Sequence, residues 1–415
     1  MSESHPHIKS LLMALLAILT LAAYGLFFIY STGYIGAEYP VRENWIRQAL
    51  FLCIGLILGG ALSFWDYHRK SWLAALHGGY AISLAMLLVV LFAGQRIGGA
   101  RRWLNLGFMT LQPAEFAKLF TILLCAHYVG HGKTWLKSAG LCLAFTAGPA
   151  FLMLLEPSYG NALSLFPPVL AIFAMRWLDR RVIAWALPLL FILICLFAAS
   201  ITWLRTEKGQ RVFATMTAPR LLNRVGLRDY HLARIQNYLT PRGEWNERQS
   251  LMTIASGGAY GKGYLQGTMK NLGYLPRTVA PTDFIFAVIC EELGFLFGAL
   301  PVICLYALLL TVTLHWSECA SDPAGGAICT GLSMLLFFHI AVNLAMTIRL
   351  LPVMGLPLPL LSYGGSYLLA TALALGAMAS IPLHPKTPEE TPADTTLNLP
   401  VGPLFLLKIT GRKNR

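Results

Sequence analysis

What this chain of 415 residues has least of is charge: Asp, Glu, Lys and Arg make up 12% of it, against about 25% in soluble domains. That scarcity excludes an ordinary cytosolic enzyme. The eight cysteines (Cys53, Cys125, Cys142, Cys195, Cys290, Cys304, Cys319 and Cys329) show no CxxC spacing and sit in or beside apolar runs. This argues against a disulfide framework and a zinc site, and for apolar packing. The short alternating strands of a membrane β-barrel are missing, and 56% hydrophobic residues exclude a disordered chain. A nucleotide-binding phosphate loop is absent too. The segment 257–263 (GGAYGKG) lacks the first glycine at the required spacing and has Gly263 where Ser or Thr is needed, so this is not an NTPase.

What is present is apolar length. Mean hydropathy is +0.60, and continuous runs recur that are long enough, at about 20 residues and 1.5 Å rise each, to cross a hydrocarbon core. The expected fold is an all-α polytopic membrane protein of about ten spans, near 10–31, 48–66, 72–94, 114–131, 138–156, 160–177, 182–204, 283–314, 325–351 and 359–382. Together they form one membrane domain, 1–382. A tail, 383–415, is rich in Pro, Thr and Glu and is expected to lack a fold of its own.

Lys and Arg set the orientation. With a cytoplasmic N-terminus, the inside segments hold thirteen of them and the short outside loops five, which also places the C-terminus inside. The outside exception is the cluster Arg96, Arg101 and Arg102, which needs another reason to exist. A long outside loop, about 205–282, carries twelve Lys and Arg against four acids. Such a basic surface suits anionic lipid headgroups or an anionic substrate, and no nucleic acid is expected as a partner. Within it, Pro219 opens a predicted amphipathic helix to about Leu239, with Arg220, Arg224, Arg228, His231 and Arg234 along one side of an apolar stripe.

Ionisable residues inside spans are costly and therefore candidates for function. Glu115 and Lys118, at i and i+3, share one helix face and can pair, either structurally or beside a substrate, with Arg101, Arg102 and Trp103 forming a cationic and aromatic rim nearby. Asp283 stands at the junction of the basic loop and the eighth span; a capping role is the ordinary explanation, but neighbouring cations would also hold it ionised. Glu291 and Glu292 point about 100° apart and cannot share a face, so at least one is expected to meet a cation or stay protonated, with structural pairing to a neighbouring helix the expectation for both. From Asn343 and Arg349 to Ser362-Tyr363-Gly364-Gly365-Ser366, three prolines and a glycine preclude a regular helix over 352–359. Irregular backbone at that depth lines a cavity or is buried in protein.

Four stretches together resemble the SEDS family, the shape, elongation, division and sporulation proteins typified by RodA and FtsW: GGARRWLNLGFMTLQPAEFAKL (98–119), QSLMTIASGGAYGKG (249–263), TDFIFAVICEELGF (282–295) and LPVMGLPLPLLSYGGS (351–366). The resemblance covers nearly everything from 98 to 382. It implies a peptidoglycan glycosyltransferase that polymerises lipid II at the outer face of the bacterial cytoplasmic membrane, beside a class B penicillin-binding protein that crosslinks the product. It also implies that Asp283 matches the family's essential acid and that Glu115 and Lys118 match its charged pair. Three departures stand out: Pro157-Ser158-Tyr159-Gly160 replaces Pro-Asp-x-Gly, the stretch from Leu275 to Asp283 is two residues longer and lacks a Glu and a His, and Arg349 occupies a position where a small residue is common.

The implied reaction expels a diphosphate, which needs no general acid. One base for the incoming hydroxyl suffices, with cations stabilising the charge gathered on the leaving group. Asp283 is assigned as base or metal-assisted organiser of an inverting transfer, with Glu115 positioning Lys118. Arg101, Arg102, Lys118, Arg211 and Lys262 are assigned to the diphosphate, and Ser362 to the substrate site. A divalent cation (Mg or Mn) bridging Asp283 and diphosphate is compatible with this chemistry, although the sequence supplies no ligand cluster. Two other readings use the same residues: a flippase for the lipid-linked precursor, and a non-catalytic scaffold for the crosslinking enzyme. Elongation and division complexes both remain open as settings.

Overall fold

The computed structural model describes residues 6–34, 43–97, 100–107, 109–178, 200, 206 and 245–385. The expected seventh span apart from Ser200, the amphipathic helix 219–239, Arg211 and nearly all of the tail lie outside the described residues. The bundle consists of α1 (Pro6–Gly33), α2 (Asn44–Ser63), α3 (Lys70–Ala93), α4 (Pro113–Gly130), α5 (Trp135–Leu155), α6 (Tyr159–Ser164) and α7 (Phe166–Trp177). After the long loop come α8 (Trp245–Gly257), α9 (Thr268–Asn271), α10 (Ile285–Gly294), a π-helical turn (Phe295–Ala299), α11 (Leu300–Glu318), α12 (Pro323–Thr347) and α13 (Gly365–Leu383). Among the described residues, seven stretches are long and apolar enough to cross a membrane: α1, α2, α3, α5, the composite 285–318, α12 and α13.

Burial separates the spans into a rim and a centre. The apolar window of α2 or α3 is 22% buried, and Ile57 and Phe92 face outward, whereas the window of α13 is 78% buried. Helix α4 is central as well, with most of its residues buried. It falls short of a span by composition because it carries Glu115 and Lys118, which a helix surrounded by protein can hold and a lipid-facing one cannot. Packing at the centre depends on small residues. A Cβ at Gly376 of α13 would run into the Gly59 carbonyl of α2, and one at Gly59 would lie 2.5 Å from the Ala372 carbonyl.

Three local features differ from expectation. A small antiparallel sheet, β1 (Gln95–Ile97), β2 (Ala100–Asn105) and β3 (Thr110–Leu111), connects α3 to α4. The expected span 160–177 is two helices, since Pro167 and Pro168 start a new one. The tenth span begins at Gly365 rather than 359, because the proline-rich segment is irregular through 364. The seven described cysteines are all free.

The 257–263 motif is a main-chain clasp on the break between α10 and α11. At that break Glu291 and Glu292 offer carbonyls, and Phe295 and Leu296 offer N–H groups, with no helical partner. Lys262 N and Gly263 N donate to the first pair at 3.0 and 2.9 Å, and the carbonyls of Gly258 and Ala259 accept from the second at 2.9 Å each. Backbone this close leaves no room for side chains: Gly261 has φ +80°, and a Cβ there would strike the Glu292 carbonyl. The clasp satisfies polar groups that would otherwise be stranded at membrane depth.

Candidate active site

Asp283 lies just before α10, partly exposed, while its backbone is fixed from several sides. Its N–H donates to Val279 O at 3.0 Å, and its carbonyl accepts from Asn343 Nδ2 at 3.1 Å. The same Asn343 amide donates to Leu356 O at 2.8 Å, while its Oδ1 is buried without a hydrogen-bond partner. Ser362 Oγ donates to Thr282 O at 2.5 Å and accepts from Leu358 N at 2.8 Å; Tyr363 N donates to Pro281 O at 2.8 Å. Gln48 of α2 braces the other side, donating to Ser362 O at 3.0 Å and accepting from Gly364 N at 3.2 Å. Ser362, assigned from sequence to substrate, is thus 1% exposed and holds the main chain beside Asp283.

Glu115 and Lys118 form the expected ion pair, 2.9 Å apart, and both are buried, Lys118 completely. Lys118 Nζ also donates to Asn161 Oδ1 at 3.0 Å and faces His339 Nε2 at 3.2 Å. Three acceptors for three protons satisfy the ammonium inside the bundle, so the structure leaves it no donor for a diphosphate. His339 continues the chain: its Nδ1 is 2.9 Å from Tyr367 OH, and the two rings stack 5.3 Å apart. Asn161 Nδ2 donates to Ser158 Oγ at 2.9 Å, so the serine that replaces an acid in Pro157–Gly160 belongs to this network. A cavity of about 20 Å³ beside Glu115, His339, Tyr367 and Thr371 has room for roughly one water.

The two rim arginines are engaged with main chain. Arg101 Nη1 donates to Phe92 O at 3.1 Å; Arg102 donates to Glu156 O at 3.3 Å and also to Pro157 O. They tie β2 to the ends of α3 and α5, and the structure does not bring them together with Lys118. Lys262 pairs with Glu291 at 2.7 Å and keeps 25% of its side chain exposed. Glu292 pairs with Lys270 at 2.8 Å and accepts from Ser31 Oγ at 2.6 Å. Burial pushes the Lys270 ammonium below its ordinary range, against the pull of Glu292, whose carboxylate favours the charged form. Glu292 therefore pairs with a helix residue as expected, whereas Glu291 pairs with the loop residue Lys262 rather than with a helix, and both pairs clamp the loop before Asp283 onto α10.

Arg349 finds a partner that the sequence did not reveal. It takes the left-handed position ending α12, with φ +62°, where a residue with a Cβ is disfavoured by about 1–2 kcal/mol. Its guanidinium lies 3.7 Å from the carboxylate of Glu247 on α8, and Glu247 Oε1 accepts from Val353 N at 3.2 Å. Among the described residues no group of three or more His, Cys, Asp or Glu could hold a metal ion. His339 and Asn161 escaped the sequence reading. The available signal was the i, i+4 spacing of His339 and Asn343 in an otherwise apolar span.

These fixed points can be set beside known proteins. The model of the FtsW, RodA and SpoVE family, described as cell cycle proteins, matches residues 10–387. The chain belongs to that family. It is 30% identical to the peptidoglycan glycosyltransferase RodA of Treponema pallidum (strain Nichols), over 89% of this chain and 96% of that protein. It is 31% identical to the peptidoglycan glycosyltransferase MrdB of Escherichia coli (strain K12), over 90% and 93%. Its fold matches the crystal structure of the rod shape determining protein RodA of Thermus thermophilus with a TM-score of 0.59, at 25% identity over 89% of this chain and 95% of that one. It also matches a chain of a peptidoglycan synthase complex solved for the structural coordination of polymerization and crosslinking, with a TM-score of 0.63, at 28% identity over 89% and 96%.

Proposed function

We propose that this chain is a peptidoglycan glycosyltransferase of the RodA and FtsW type, serving cell shape or division, and that it polymerises lipid II by inverting transfer at Asp283. The observation that carries the assignment of the acid is a contrast in exposure. Glu115, Glu247, Glu291 and Glu292 are all 4% exposed or less, while Asp283 keeps access and is held by its main chain. A partly exposed carboxylate on a rigid bed is what a general base for an incoming hydroxyl requires. In this reading Asp283 takes the proton of the acceptor sugar hydroxyl as its oxygen bonds to the anomeric carbon of the donor. The bond to diphosphate breaks, and the leaving group departs with the electron pair.

The electrostatic part falls to the basic loop, with Arg211 among its candidates; Lys262 is part-exposed at its edge, but its ammonium already donates to Ser256 Oγ, Thr268 Oγ1 and Glu291 Oε1, so it contributes charge rather than a spare donor. Lys118 supports from within the bundle. If a divalent cation, Mg or Mn, were required, Asp283 would be the residue to hold it, acting as organiser rather than base, and the ion would supply neutralisation of the diphosphate charge. Orientation with both termini cytoplasmic puts Asp283 outside, where a class B transpeptidase would receive the glycan.

The test is polymerisation of purified lipid II in nanodiscs, with and without the transpeptidase, beside Asp283→Asn. Glycan ladders from wild type, reduced about 100- to 10,000-fold in the mutant, are expected. Equal ladders from both would remove Asp283 from the chemistry. No ladders from wild type, together with movement of labelled lipid II across vesicles, would establish a flippase instead.

A further inference from the structure

The buried ion pair and the partly exposed Asp283 lie on separate elements, yet one helix touches both. His339 and Asn343 are one turn apart on the same side of α12. The first supplies the third acceptor of Lys118, at 3.2 Å; the second donates to the carbonyls of Asp283 and Leu356, at 3.1 and 2.8 Å. One turn further on, Thr347 O accepts from Ser250 Oγ of α8 at 3.0 Å. Both side chains are at most 1% exposed, so neither reaches a substrate from outside.

We infer that Glu115 and Lys118 serve the reaction through α12, with His339 and Asn343 as positioning residues that set where Asp283 sits. The argument is one of register. Lys118 is fully enclosed, and its ammonium is satisfied only while His339 Nε2 faces it. Rotating or sliding α12 by one residue moves that acceptor by about 100° or 1.5 Å and strands a charge in the interior. The helix is thereby pinned at His339, and Asn343 passes the pinned position to the carbonyls on either side of the active-site bed. Lys118 donating to Nε2 also fixes the imidazole as neutral with its proton on Nδ1, aimed at Tyr367 OH. The imidazole thus stays uncharged beside the Lys118 ammonium. This inference rests on the glycosyltransferase reading for its kinetic consequence, but not for its structural one.

The experiment compares wild type with His339→Phe, His339→Gln and Asn343→Leu in the full-length protein, reading lipid II polymerisation and amide hydrogen exchange over 279–288. His339→Phe is expected to lower kcat at least tenfold with KM within twofold, and to speed exchange of the Asp283 and Phe284 amides, which are bonded to Val279 O. His339→Gln keeps an acceptor for Lys118 and is expected to restore most of the rate and the protection. The double variant His339→Phe/Asn343→Leu is expected to cost no more than the worse single, because the two act as one unit. A fall in rate with unchanged exchange over 279–288, or additive losses, would overturn the inference. If His339→Phe does not fold, Asn343→Leu and His339→Gln carry the comparison: His339→Gln exchanging as fast as Asn343→Leu refutes the inference, and wild-type protection supports it. If wild type makes no glycan, the function falls, and the exchange data alone decide the coupling.

Discussion

Lys118→Met is the perturbation whose size follows most directly from the structure. It removes a fully buried ammonium and leaves the Glu115 carboxylate, 4% exposed, without its cation. Breaking one side of a buried pair costs about 3–5 kcal/mol, whereas replacing both charges by groups of similar volume is close to neutral. Glu115→Gln alone keeps an amide oxygen near Lys118, with Asn161 and His339 still in place, so its cost is expected at about 1.5–3 kcal/mol, the value of one charge-assisted hydrogen bond. The double variant Lys118→Met/Glu115→Gln should recover most of the stability lost by Lys118→Met. The assay is the apparent melting midpoint of all four proteins in one detergent, with monodispersity checked by gel filtration. Rate is read in parallel and should stay low in the double, because His339 then has no ammonium to face. A double that melts no higher than Lys118→Met, or a Lys118→Met that melts like wild type, would refute the reasoning.

Gly261→Ala forces a Cβ against the Glu292 carbonyl at φ +80°, and is expected to cost about 1–3 kcal/mol and to raise proteolytic cleavage of the 258–275 loop. Arg349→Gly relieves a left-handed arginine but takes the cation from the buried Glu247 carboxylate. A net loss of about 1–3 kcal/mol in thermal unfolding is expected, largely reversed by adding Glu247→Gln. Ser362→Ala removes the hydroxyl that binds Thr282 O and Leu358 N, and should lower kcat in the glycan-ladder assay while leaving KM within about twofold.

The membrane class, the central ion pair and the irregular 352–359 segment were all legible in the sequence, because each is imposed by local chemistry: apolar length, an i, i+3 spacing and proline. That at least one of Glu291 and Glu292 must meet a cation or stay protonated was legible for the same reason; that Glu291 would find its cation in a loop rather than on a helix was not. Identities across the fold were not. Ser31 meets Glu292 across 261 residues, and Glu247 meets Arg349 across about a hundred. Pairing at that range depends on how helices dock, which periodicity does not encode. The assignments of Arg101, Arg102, Lys118 and Ser362 to substrate were made by residue type. In the structure Arg101, Arg102 and Ser362 donate to main-chain carbonyls, as useful a target as a phosphate for such donors, while Lys118 and Lys262 bond side chains.

Helix α4 also carries a consequence for how the protein is made. It bears Glu115 and Lys118 in its first two turns, where ionisable groups on an isolated helix are costly to hold in a membrane. Its third stabilising acceptor, His339, is synthesised 221 residues after Lys118. Until α12 emerges, the centre of the molecule is its least secure part, held by α5, α6 and the apolar rim of α3. The Lys118 site is therefore complete only once α12 has been made, and a chain truncated before α12 is expected to hold that ammonium one acceptor short.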